Sequence, residues 1–324
     1  MAEIISSETL PDASSRHAAV ERVRFRMLRA VCRQNWIRTG LRYRLLRKFA
    51  HWSNLDDVAF ECDFYGHRYA GELSRHIDWH VYFFGAYELP ELRLLSRIAA
   101  ETGGGSLLDI GGNVGQHSLY LSNHFEQVHS FEPFESVREK FELRLSINRV
   151  RNVKVHPVGV GQENALLKFY VPPESNQGLG SFVRPDDDSL EAQKQLLSLP
   201  VVHGDQYLKE QGITSVSAIK IDIEGFERSA IEGLRHTLAE HRPFVVMEFG
   251  PETQASFQGS DEFFEMLPGD YSAHTVKDPS KSGMTIGGPG YRLGEFDFGA
   301  PGGNVLLAPG EGLSSIRNSH RWAA

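Results

Sequence analysis

From residue 89 onward, hydrophobic positions alternate between two rhythms. Continuous apolar runs at 106–110, 127–131, 153–158, 165–171, 216–224, 243–249 and 304–308 read as strands. Between them, apolar residues recur at three- and four-residue steps over 91–100, 115–123, 135–148, 226–240 and 262–267, which reads as helices. Strands separated by helices of this length predict right-handed βαβ units, hence an α/β fold with a doubly wound, mostly parallel sheet. The first part of the chain follows another pattern. Val20, Val23, Met27 and Val31, then Leu41, Leu45 and Phe49, mark two amphipathic helices separated near Thr39-Gly40. A small hairpin turned at Gly66 follows, and then the most aromatic stretch of the chain, Ile77 to Glu88, read chiefly as core. His76 and His80 lack further ligands at metal spacing and read as structural.

These patterns divide the chain into a basic helical extension (1–55), a hairpin and aromatic lead-in (56–104), a main α/β domain (105–310) and a tail (311–324). The first 15 residues are polar and small and read as a disordered start. Residues 279–303 hold eight glycines and three prolines, which suits a lid or long hairpin insert. Cys32 and Cys62 make neither a disulfide framework nor a metal spacing, and no apolar run is long enough to span a bilayer, so a cytoplasmic location is expected. Charge changes this picture at one place. Residues 16–51 carry eleven basic residues against one acid, Glu21, in a chain whose net charge is −8. Such helices either cap the main domain or dock on an anionic membrane surface or an acidic partner. Nucleic acid is not expected, because the rest of the chain is acidic and offers no aromatic-basic platform.

The densest chemical signal is Ser106-Leu-Leu-Asp-Ile-Gly-Gly-Asn-Val-Gly115. An apolar strand, three glycines within five positions and a helix start form a loop that lets a ligand approach bare backbone. Asp109 at the strand end opposes a pyrophosphate, and Gly111-Gly112-Asn113-Val114-Gly115 departs from the dinucleotide spacing Gly-x-Gly-x-x-Gly. A cofactor with an ammonium and a sulfonium and no phosphate suits the carboxylate, and S-adenosylmethionine is such a cofactor. Glu132, at the end of the next strand, is placed to accept two ribose hydroxyls, a role that would serve NAD equally. Gly159 and Val160, after the third strand, offer backbone to an adenine edge.

Further acids close the later strands. Asp222 and Glu224 end the 216–224 run, and Glu248 ends the next. The C-terminal edge of a parallel sheet is where ligands sit, so these are candidate site residues together with Asp205 and His203. Glu224 doubles as a candidate helix cap, which leaves Asp222 the candidate base or acceptor-orienting group, with Glu224 in support. Their convergence is also compatible with Mg²⁺, although no metal site is assigned.

The chain resembles the FkbM family of S-adenosylmethionine-dependent methyltransferases between Phe83 and Ala308. The resemblance rests on Gly85-Ala-Tyr-Glu88, Leu108 to Leu121, Phe131-Glu-Pro133, Gly178-Leu-Gly-Ser181 and Ile219-Lys-Ile-Asp-Ile-Glu-Gly-Phe-Glu227. It implies a seven-stranded, Rossmann-like class I sheet with an antiparallel last strand, and O-methylation of a hydroxyl on a sugar, glycan or secondary metabolite. The motifs place Glu88, Asp109, Gly111, Asn113, Gly115, Glu132, Gly159 and Val160 at the cofactor. Tyr87, Ser181, His203 and Glu248 fall to the substrate, and Asp222 and Glu224 to catalysis. Gly112 stands where the family usually has alanine, and Val202-His-Gly-Asp205 replaces a more apolar approach to Asp205. Two rival readings are a NAD-dependent oxidoreductase and a non-catalytic docking protein that uses the basic helices.

Overall fold

The computed structural model describes residues 13–34, 37–55, 58–171, 180–182, 196–278, 290–310 and 312–317. Residues 1–12 of the expected disordered start, most of the 172–188 stretch around Gly178-Leu-Gly-Ser181, the glycine-rich 279–289 segment and the end of the tail lie outside the described residues, whereas residues 13–15 of that start are helical.

Helices α1 (Ala13–Cys32) and α2 (Thr39–Phe49) precede a hairpin of β1 (Ala59–Phe64) and β2 (His67–Glu72), then α3 (His76–Phe84) and α4 (Leu89–Thr102). The alternating part runs β3 (Ser106–Ile110), α5 (Gln116–Leu121), β4 (Gln127–Phe131), α6 (Glu135–Asn148) and β5 (Val153–His156). Three strands follow, β6 (Gly159–Gly161), β7 (Ala165–Tyr170) and β8 (Leu196–His203), then α7 (Gly204–Glu210) and β9 (Ala218–Ile221). The chain continues through α8 (Glu227–Gly233), α9 (Arg235–His241), β10 (Phe244–Glu248), α10 (Pro251–Ala255) and α11 (Ser260–Glu265). It closes with β11 (Ser272–Lys277), β12 (Arg292–Glu295), β13 (Asn304–Ala308) and α12 (Leu313–Arg317).

The main sheet has the order β12-β11-β13-β10-β9-β3-β4-β5. β10, β9, β3, β4 and β5 are mutually parallel, and β13 runs antiparallel between β10 and β11. The expected seven-stranded sheet with a reversed last strand is therefore present. An eighth strand, β12, pairs antiparallel with β11 at the edge, so the described end of the glycine-rich region forms a hairpin. The chain leaves β3 toward β4 on one side, while β9 lies on the other. This reversal is the switch point at which α/β sheets bind ligands.

Three sequence expectations change in detail. The strand expected over 153–158 stops at His156 as β5, and the following Gly159–Gly161 forms β6, which joins β7 and β8 in a separate three-stranded sheet. The single helix expected over 226–240 is broken at Leu234 into α8 and α9. The break accompanies a close approach: a Cβ on Gly233 would stand 1.9 Å from the Gly161 carbonyl oxygen, so that end of α8 lies directly on β6. β9 stops at Ile221, so Asp222 begins the loop instead of ending the strand.

The N-terminal elements share a core with the main domain. Phe25, Cys32 and Leu46 belong to one buried cluster with Phe60, Trp79, Leu107 and Val246. Two buried polar groups reinforce the joint. The Trp79 indole donates to the Ala50 carbonyl at 2.7 Å. Arg144 of α6 donates to the carbonyls of Ala70 and Val114 and pairs with Asp78 at 2.9 Å. Each buried donor is thus matched, as burial of charge requires. Among the described residues no helix is long and apolar enough to cross a membrane.

Candidate active site

At the switch point, a cleft opens over the C-terminal ends of β3, β4 and β9. Its floor is the glycine loop. Gly111 has φ +86°, and a Cβ there would stand 1.9 Å from the Asp222 carbonyl oxygen, so only glycine lets the two loops meet. Asn113, at φ +47°, and Gly111 both line the cleft. Gly115 has a different task. Its Cβ would collide with the Phe141 ring at 2.0 Å, so it allows α6 to pack under the loop and does not face the cleft.

Glu132 is fixed by two backbone donors, Asn113 N–H and Phe134 N–H, each at 2.8 Å. Burial raises its pKa to about 7 against the lowering effect of those two bonds. Glu132, Gly159 and Val160 line the cleft with Gly111 and Asn113, so five of the eight expected cofactor residues are brought together. The apolar part of the wall includes Phe134, Phe182 and Phe226, of which only Phe226 stands within a motif read from the sequence.

Asp109 is placed elsewhere. It is wholly buried behind the loop, where its Oδ2 accepts from the Ser118 hydroxyl at 2.5 Å. Its Oδ1 has no hydrogen bond, and the Lys220 ammonium lies 4.0 Å away. The neighbouring strands explain this geometry, because Asp109 and Lys220 are partners in the β3–β9 register. Asp109 thus braces the loop from below and is not in the cleft lining.

A second cluster adjoins the cleft. Asp222, Glu224 and Glu248 each offer an oxygen within 4.8 Å of the others. Lys220 donates to Asp222 at 3.0 Å. Burial, then Asp222 and Glu224, push the Glu248 carboxyl up to about 9. Burial and Asp222 raise Glu224 to about 7. Glu88 is driven well above the usual carboxylate range by burial and by Asp222, and lies 3.5 Å from the buried imidazole of His117. Burial and Lys220 hold that imidazole well below its usual pKa, so it is neutral at pH 7. Burial pulls the Lys220 ammonium down, but Asp222, Asp109 and Glu88 outweigh it and leave it raised. One cation thus faces several carboxyl groups, and part of that crowding is relieved by retained protons. The three clustered oxygens are also the described groups that could take a divalent cation, in competition with Lys220.

The loop between β9 and α8 is held differently from the expectation. Glu224, at φ +50°, does not cap the helix; α8 has no side-chain cap. Glu227 instead accepts the Ile223 and Gly225 N–H groups and the Thr253 hydroxyl, which frees the Glu224 carboxyl for the cluster. The Ser181 hydroxyl donates to the Glu224 carbonyl at 2.6 Å, pinning the loop. Tyr87 is tied through its N–H to Gln116, and the field of Glu88, then burial and the other acids, raise its hydroxyl pKa. His203 and Asp205 are outside the site. His203 accepts from Gln206 N–H at the start of α7, and Asp205 accepts from His236, Thr237 N–H and the Thr237 hydroxyl. Lys220 and His117 were not singled out by sequence reasoning. A lysine inside the apolar run Ile219-Lys-Ile221 was the available signal.

The methyltransferase FkbM domain family matches residues 109–269, the segment that carries both clusters. The chain carries an FkbM-family methyltransferase domain. Over 143 residues it is 24% identical to Methyltransferase 1 of Beauveria bassiana, a match covering 40% of this chain and 57% of that relative. The match therefore spans little more than half of the relative's length. Among solved structures, the methyltransferase FkbM from Methylobacillus flagellatus KT aligns at 18% identity and TM-score 0.39, over 63% of this chain and 43% of that one. The O-methyltransferase TomG from Streptomyces achromogenes, solved with SAM, aligns at 16% identity and TM-score 0.37, over 68% and 78%. An rRNA methylase from Streptococcus thermophilus aligns at 14% identity and TM-score 0.38, over 67% and 94%.

Proposed function

We propose that the FkbM domain transfers a methyl group from S-adenosylmethionine to a hydroxyl group of a small molecule, a sugar, glycan or secondary metabolite. The observation that carries this reading is the adjacency of two unlike surfaces. A glycine-floored cleft with the Glu132 carboxylate on its wall adjoins a carboxylate cluster that includes one member titrating near neutrality.

The cleft fits the cofactor on two counts. Gly111 lines it as bare backbone, and the Asn113 side-chain oxygen is buried without a hydrogen-bond partner. Glu132 would accept the ribose hydroxyls, and the Gly159–Val160 backbone would border the base. When bound, S-adenosylmethionine supplies a methyl group on a sulfonium, which leaves with the C–S electron pair on sulfur as oxygen attacks the carbon. The acceptor hydroxyl must be held in line and must lose its proton. Asp222, held by Lys220, orients the hydroxyl. Glu224 takes the proton, since a pKa near 7 matches a base working at neutral pH. Glu248 keeps its own proton at pH 7 and donates a hydrogen bond to the acceptor.

Calorimetric titration with S-adenosylmethionine, with NAD as control, tests the assignment. Binding of the methyl donor alone is expected, weakened on the order of 10- to 100-fold in Glu132→Gln, since bonds to a charged acceptor contribute about 1.5–3 kcal/mol. Binding of NAD in its place would overturn the proposal.

A further inference from the structure

The two N-terminal helices have faces of opposite use. On α1 the inner face is Phe25, Leu28, Arg29, Cys32 and Arg33; on α2 it is Thr39, Arg42, Leu46 and Ala50. Its arginines are consumed by carbonyls: Arg29 by Tyr82 at 2.9 Å, Arg33 by Val81 at 2.8 Å and Arg42 by Cys32 at 2.8 Å. These three arginines belong to a cap, packed on α3 and on the hairpin core.

The outer faces have no such partners among the described residues. Val23, Met27 and Val31 repeat at four-residue steps along one side of α1, with Met27 66% exposed. Leu41, Leu45 and Phe49 repeat in the same way along α2, with Leu41 61% exposed. At 100° per residue each set spans an arc of about 80°. Arg26 lies beside the first arc, and Arg44 and Lys48 beside the second; all three are exposed, as are Arg38 and Arg47. Residues 22–50 contain no acidic side chain. Both helices rest on α3, α1 through Phe25 against Phe83 and α2 through Tyr43 against Trp79 and Phe84, so both outer faces look away from the domain.

We infer that the outward faces of α1 and α2 dock this protein on an anionic lipid surface. Apolar stripes flanked by cations suit the boundary between headgroups and acyl chains, where large side chains enter the bilayer and guanidinium groups meet lipid phosphates. Nucleic acid would use the cations and leave the apolar stripes in water. An acidic protein would need apolar grooves matched to two separate stripes, which a fluid bilayer provides without matching. The inference is independent of the methyl-transfer proposal.

The test is sedimentation of the full chain with vesicles of phosphatidylcholine alone and of phosphatidylcholine with phosphatidylglycerol. Binding is expected on the anionic vesicles only, and weaker at high salt. Two double variants probe the two components separately: Met27→Asp with Leu41→Asp, and Arg44→Glu with Arg47→Glu. Each should lower vesicle affinity by about 10-fold or more. All four positions are exposed, so thermal unfolding and S-adenosylmethionine binding should stay as in the parent, and this shows that the fold survives. No binding to anionic vesicles at low salt overturns the inference, as does unchanged binding by both double variants. Concentration-dependent self-association without vesicle binding, relieved by the same substitutions, would overturn it in favour of a second copy of the chain.

Discussion

The two sides of the switch point solve opposite problems. On the β3–β4 side the chain offers backbone and one carboxylate, fixed by neutral donors: Glu132 accepts two N–H groups and Asp109 accepts from Ser118, while the Asn113 side-chain oxygen is left without a partner. On the β9–β10 side, Asp222, Glu224, Glu248 and Glu88 crowd around the single cation Lys220, and three of these carboxyls are pushed toward their neutral forms. A surface of fixed backbone with an unpartnered polar atom can receive a cofactor without rearrangement. A surface held in electrostatic conflict can exchange a proton at neutral pH, which ordinary carboxylates do poorly.

The largest expected effect falls on the conflicted side. Glu224→Gln should lower turnover by about 10²- to 10⁴-fold, the range for loss of a general base, while cofactor affinity stays within a factor of two or so. Single-turnover kinetics separates the two. An unchanged rate would take Glu224 out of the mechanism, and an equal loss in Asp222→Asn alone would assign the proton to Asp222.

Lys220→Met removes the cation from both sides at once. It leaves Asp109 and Asp222 without compensation, and urea denaturation should show a loss of about 3–5 kcal/mol, the usual result of breaking one partner from a buried pair. A loss below about 1 kcal/mol would mean that the acids neutralise themselves fully. Gly111→Ala attacks the boundary between the sides. Strain at positive φ together with the clash on the Asp222 carbonyl should cost roughly 3 kcal/mol and reduce cofactor binding with it.

The smallest effect is a slope. Glu224 and Glu248 have folded pKa values of about 7 and about 9, raised from 4.5. The folded state therefore binds more protons than the unfolded state above about pH 4.5. Their contribution to stability is present in full below that pH and is lost as pH rises through about 7 and then about 9. Glu248→Gln should flatten the fall in melting temperature between pH 6 and pH 9 and leave the β3–β4 side untouched. A parent protein whose stability rises over that interval would contradict the raised values.

How much of this was legible in the chain differs between the same two sides. The glycine loop, Glu132 and the Gly159–Val160 backbone could be read because they depend on local requirements: positive φ, absent side chains and an acid at a strand tip. Glu248 was readable as a strand-end acid and Asp222 as an acid at the sheet edge, one residue beyond the strand it was expected to end. The role of Glu224 was not, because its backbone turns to positive φ ahead of the helix while Glu227, three residues on, holds the loop by accepting the Ile223 and Gly225 N–H groups. His203 looked like a site residue by its position before Asp205, yet it caps the start of α7, and Asp205 serves the junction of α7 with α9, a contact between segments about thirty residues apart in the chain.

By itself the sequence determined the alternation of strands and helices, and with it the parallel sheet and the edge at which ligands bind. It also marked the basic charge of the first helices and the loop that only glycine can form. These follow from periodicity, backbone geometry and local charge, which act between near neighbours. Tertiary structure decided which acids share a cluster, that Asp109 supports the loop from below, and that Lys220 is the cation serving both sides. It decided also which arginines of the N-terminal helices are spent on carbonyls and which remain outside. Those outcomes depend on distances between strands and helices remote in sequence, and on the desolvation that only packing imposes.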